Sequence, residues 1–105
     1  MANFYKNAFY DPTVTTAVTT YTCPSNANAI VQNIQVTNFS GSKTFKVHIN
    51  DNSASTSFIV AYASITGPTI CNVAKGPIIL EESDSIALET SDTSGISATL
   101  SILEI

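Results

Sequence analysis

Residues 76–90 read Gly76-Pro77-Ile78-Ile79-Leu80-Glu81-Glu82-Ser83-Asp84-Ser85-Ile86-Ala87-Leu88-Glu89-Thr90. A Gly-Pro break leads into the apolar block Ile78, Ile79, Leu80, and Pro77 stands at a strand start, where proline is tolerated. Glu81 to Asp84 form a polar corner. Beyond it Ile86 and Leu88 alternate with Ser85, Ala87 and Glu89, the period of two that marks a half-buried strand. This pattern predicts a hairpin with one apolar face, and that face needs a second sheet to cover it.

The rest of the chain supplies the cover. Ala29 to Phe39 reads as the central strand, with Ile34 and Val36 alternating with Asn33, Gln35 and Thr37. Thr44 to Ile49 places Phe45, Val47 and Ile49 on one face, and across Ser40-Gly41-Ser42-Lys43 it is expected to form a hairpin with the central strand. Thr13 to Thr22, Thr56 to Ile65 (Phe58, Val60 and Tyr62), a short Thr69 to Lys75 and a closing Ile96 to Ile105 complete the set. All four glycines fall at turns and no window keeps a helical repeat. The expectation is an all-β fold without substantial helix: one antiparallel β-sandwich, jelly-roll-like, of about eight strands. Residues 1–12 form an aromatic N-terminal arm on a sandwich domain of residues 13–105.

With 105 residues and 11% charged content, the chain is one domain whose polarity comes from Ser and Thr. Four lysines, no arginine and a net charge of −4 leave no clustered basic surface, which argues against nucleic acid as a partner. Neither a signal-peptide core nor a membrane-length apolar run is present, so the expectation is a chain made in a cytoplasm without a membrane partner. Cys23 and Cys71 then read as buried free thiols, although a disulfide stays open at sequence level.

Residue types for catalysis are sparse. His48 is the sole imidazole and sits beside Lys46, opposite the apolar face, with no Gly-x-Ser-x-Gly nucleophile turn to serve. Cys23, Cys71 and His48 lack the close Cys pairing of a zinc site. Glu81, Glu82 and Asp84, with Asp51 or Asp92, could hold a hard cation, but a solvated acidic corner is the simpler reading. No catalytic residue, cofactor or metal is expected. Phe4, Tyr5, Phe9 and Tyr10, four of the chain's aromatics, crowd the first ten residues. They read either as an edge strand packed on its own domain or as anchors that dock on a neighbouring subunit or a shell.

Several stretches together resemble a known group: Tyr5-Lys6-Asn7; Tyr21-Thr22-Cys23-Pro24 followed by Ala29-Ile30-Val31-Gln32-Asn33-Ile34-Gln35-Val36-Thr37-Asn38; Gly76 to Ile86; and Ser101-Ile102-Leu103-Glu104-Ile105. The chain is similar to small virion proteins of tailed bacteriophages, cyanophages included. In that group a Tyr-x-x-Pro turn precedes a long central strand and a Leu-Glu-x-Gly-Asp-x-Ile corner precedes the last hairpin. Ser83 replaces the corner glycine, which suggests a different turn geometry there, and Cys23 replaces an aliphatic residue.

The resemblance implies a structural role. The leading expectation is a capsid decoration (cement) protein: a homotrimer on the outer surface of the virion, partnered with the major capsid protein. Low charge and abundant hydroxyls suit a surface of neutral hydrogen bonds. The acidic balance suits a site away from packaged DNA. Binding only the assembled shell stabilises it by mass action. The alternatives are a tail, neck or baseplate protein and, in another class, a carbohydrate-binding module using Tyr62, Phe39 or Tyr21 as an aromatic platform.

Overall fold

The computed structural model describes residues 3–105. It contains β1 (Phe4–Tyr10), β2 (Val18–Thr22), β3 (Ala29–Asn38), β4 (Ser42–Asp51), β5 (Thr56–Thr66), β6 (Thr69–Asn72), β7 (Ile78–Leu80), β8 (Ser85–Thr90) and β9 (Ile96–Glu104), with no helix among those residues. One sheet runs β1-β9-β3-β6, with β7 also on β3, and the other runs β2-β8-β4-β5. Every pairing is antiparallel.

β6 lies against Gln35 to Asn38 and β7 against Ala29 to Val31, so the two form one edge strand along β3, broken at residues 73–77. Asn72 bridges the break: its Oδ1 accepts from the Ile34 amide at 3.2 Å and the Ala74 amide at 3.1 Å. With that strand taken as a unit, eight strands pair in nested order: β1 with β9, β2 with β8, β3 with β6–β7, and β4 with β5. This is the antiparallel ribbon of a jelly roll folded into two sheets.

Alternation decides which residues fill the space between the sheets. β9 buries Ile96, Ala98, Leu100 and Ile102 and turns Ser97, Thr99 and Ser101 outward; β3 contributes Val31, Ile34 and Val36, and β4 contributes Phe45 and Val47. β8 adds Ile86 and Leu88 from the opposite sheet. Cutting such a side chain back to Ala costs about 2–5 kcal/mol.

Two expected hairpins are not hairpins. β3 and β4 lie in different sheets, as do β7 and β8. Apolar alternation encodes the face a residue occupies but not its partner, and a short polar loop can cross between sheets about 10 Å apart as readily as it can turn within one. The connection that does make a hairpin is the polar loop after Asp51, between β4 and β5.

The crossings are held by specific polar groups. At the first, Asn38 is buried; its Nδ2 donates to the carbonyls of Gly41 (2.9 Å) and Ile65 (3.0 Å), and its Oδ1 accepts from Lys43 Nζ at 3.0 Å. Lys43, itself buried, also donates to the Ser40 carbonyl. Gly67 closes over this corner so tightly that a Cβ would sit 2.7 Å from the Asn38 carbonyl oxygen. At the second, buried Asp84 accepts from the amides of Asn52 (3.0 Å) and Glu81 (3.1 Å). Ser83 keeps a left-handed φ of 66°, so the glycine-favouring geometry persists although the residue is serine.

Candidate interaction surface

Four aromatic anchors were expected at the start of the chain. The structure makes Phe4–Tyr10 the edge strand β1, hydrogen-bonded along β9, and the alternation of that strand divides them. Tyr10 turns inward, packs edge-on against Phe45 with centroids 6.1 Å apart, and is core. Burial pushes its hydroxyl up to about 12, with Glu89 adding to the shift. Phe4, Tyr5 and Phe9 remain exposed. The division was legible in the period of two, since Tyr10 shares parity with Ala8 rather than with Phe9.

Tyr5 belongs to a larger feature. It lies opposite Leu103 of β9, which lies opposite Ile30 of β3, which lies opposite Ile79 of β7. The result is a cross-strand row of four apolar side chains on the outer face of its sheet, with Tyr5 79% and Ile79 66% exposed at its ends. The adjacent rows are Asn7–Ser101–Asn33 and Phe9–Thr99–Gln35–Asn72, polar apart from Phe9. A contiguous apolar row on an outer face is distinct from the scattered exposed apolar residues that are ordinary. At the far end of β3, Phe39, Pro68 and Ile70 frame a shallow recess of about 440 Å³.

The second exposed region is β5. A bulge at Val60 separates the pair Val47–Ala61 from His48–Ile59, so β5 changes face midway. Ala61, Ala63 and Phe58 lie on the side of Val47, Phe45 and Ile49; Ile59 and Tyr62 lie on the outer side, with Lys46 Nζ 5.6 Å from the Tyr62 ring centre. The inserted residue thus puts Phe58 and Tyr62 on opposite faces of the strand. Phe58, Ile59, Val60 and Tyr62 are all exposed. Val60 and Tyr62 face the 73–77 break of the other sheet across a groove of about 320 Å³.

The opposite flank is closed. Tyr21 of β2 donates its hydroxyl to Glu104 of β9, and Glu104 pairs with Lys6 of β1 at 3.2 Å, linking the two sheets. The hydrogen bond from Tyr21 and the charge of Lys6 hold the Glu104 carboxyl below the ordinary range against the opposing effect of burial. Burial and that same hydrogen bond push the Tyr21 hydroxyl up.

The groups weighed for chemistry are dispersed. His48 meets Glu89 at 2.7 Å on the outer face of β4, Asp51 binds its own loop at Ser53, and Asp92 caps the turn at Ser94. Among the described residues, no three His, Cys, Asp or Glu side chains converge as metal ligands. Cys23 is buried, Cys71 half-buried, and both are free thiols. Tyr21 and Tyr62 lie on opposite edges of one sheet and Phe39 follows β3 in the other, so they do not combine into an aromatic platform.

No protein family model matches the chain. No curated protein does either. Among solved structures, a chain in "Structure of infectious bursal disease virus Gx strain" is similar over 98% of this chain and 30% of its own length, at 9% identity and a TM-score of 0.45. This chain thus spans about a third of the length of that one.

Proposed function

We propose that the protein is a virion structural protein of a tailed phage that decorates and stabilises the outside of the assembled shell, in contact with the major capsid protein. The observation that carries this reading is the apolar row Tyr5–Leu103–Ile30–Ile79 on the outer face of a jelly-roll sheet. It is a rigid contact built on strands, with no lysine or carboxylate in the row to desolvate. The sequence resemblance to phage virion proteins supports the same role, and the net charge of −4 suits a position away from packaged DNA. Attachment to the expanded shell alone would strengthen that shell by mass action.

The test is co-sedimentation of the purified protein with expanded shells that lack it. Wild type is expected to co-sediment, while Tyr5→Asp and Ile79→Asp fold normally, because both sites are exposed, and lose the shell. Unimpaired binding by both variants overturns the contact surface. Virions in which the protein occupies only a tail, neck or baseplate ring overturn the decoration role.

A further inference from the structure

We infer that the β5 edge joins two copies of this chain, pairing antiparallel about a two-fold axis so that two four-stranded sheets become one continuous sheet. The inference does not depend on the capsid reading.

Three observations converge on β5. First, it is eleven residues long, whereas the other edge strands β1, β2, β6 and β7 have seven, five, four and three. Natural edges are usually kept short or guarded by charge or proline, because an unpaired row of amides and carbonyls templates further pairing. β1 carries Lys6; β5 has neither charge nor proline, and its one irregularity is the bulge at Val60. Second, no charged residue occurs between Asp51 and Lys75, so β5 and β6 share an uncharged flank. Two copies that each carry −4 repel through most approaches, and this flank brings them together with no carboxylate on the strand itself and only Lys46, beside Tyr62, and Lys75, across the groove, as nearby charges.

Third, the bulge makes the strand complementary to itself. When a regular strand pairs with its own copy about a two-fold axis, facing residues must match in parity, but the extra residue at Val60 reverses parity midway along β5. One two-fold register then matches every face. Ile59 meets Tyr62 of a second copy on the outer side, and Phe58 meets Ala63 on the inner side. Ser57 meets Ser64, and Val60 meets Ala61 across the centre. Each bulge lies against its own symmetry mate, so neither strand is left with an unmatched residue. Large pairs with small inside, apolar with apolar outside, and serine with serine at the ends. A two-fold pair differs from the trimer expected from the sequence, and the mass in solution decides between them.

Light scattering of the full chain in solution tests it. Wild type is expected at twice the chain mass. Ile59→Lys and Val60→Lys, both at exposed positions, should each weaken association by about tenfold or more and keep the strand circular-dichroism signal. For the register, Ile59→Cys and Tyr62→Cys chains in a Cys71→Ser background, mixed with oxidised glutathione, should give a disulfide between the two variants that neither forms with itself. A single-chain mass, a three-chain mass, a dimer indifferent to both lysines, or Ile59→Cys cross-linking to itself each overturns the inference.

Discussion

The two flanks of the sandwich are built on opposite rules. Where β1 meets β2, Tyr21, Glu104 and Lys6 tie the sheets together with a hydrogen bond and an ion pair, and β2 is short. Where β5 meets β6 and β7, the other sheet is interrupted at residues 73–77 and the facing strand is long, apolar and uncharged. The same fold thus finishes one edge and leaves the other open.

The largest effect is expected at the corner that anchors the end of the open flank. Asn38→Ala removes the donor to Ile65 at the end of β5 and strips buried Lys43 of its side-chain acceptor. The loss is about 3 kcal/mol, from unsatisfied buried groups and an uncompensated ammonium. Urea unfolding measures it, and a loss below about 1 kcal/mol would mean that the open flank is held by packing alone.

Breaking the closed flank should cost less. Glu104→Gln weakens the contacts to Tyr21 and Lys6 by about 1–2 kcal/mol at neutral pH, the ion pair being limited by the exposure of Lys6. Its pH dependence identifies the cause. Glu104 is depressed in the folded protein, so its stabilisation is present above the ordinary carboxylate pKa and fades as pH falls through the lower folded value. The wild-type and variant stability curves should therefore converge at acid pH. Parallel curves would assign the loss to side-chain shape.

The smallest change tests the corner that leads from the open flank into β8. Ser83 holds φ at 66°, a conformation that costs a non-glycine residue free energy. Ser83→Gly should raise stability by roughly 0.5–1 kcal/mol in thermal or urea unfolding. A loss would show that the serine side chain contributes more than the strain it carries.

Most of the strands were legible in the sequence, and most of the pairings were not. Ile34 and Val36, Phe45 and Val47, and the Ile96 to Ile102 alternation each declared an inward face, because burial between two sheets selects every second residue. The loops at 40–41 and 81–84 resembled hairpin turns and proved to be crossings, since partner choice depends on the whole nested ribbon. Of the expected contact residues, Tyr5 and Phe9 face outward and Tyr10 does not. The row Tyr5–Leu103–Ile30–Ile79 draws on four strands distant in sequence, so no local pattern could reveal it. The open β5 flank did leave a signal, the charge-free stretch between Asp51 and Lys75. The bulge at Val60, which decides the faces there, left none.

The pairing of β1 with β9 has a mechanical consequence. Phe4 stands opposite Glu104 and Tyr10 opposite Ala98, so the start of β1 and the end of β9 lie side by side at one corner of the sandwich. A pulling force applied between them opens the β1–β9 ladder from that corner one hydrogen bond at a time, as a zipper and not in shear, and meets the Lys6–Glu104 contact within its first few residues.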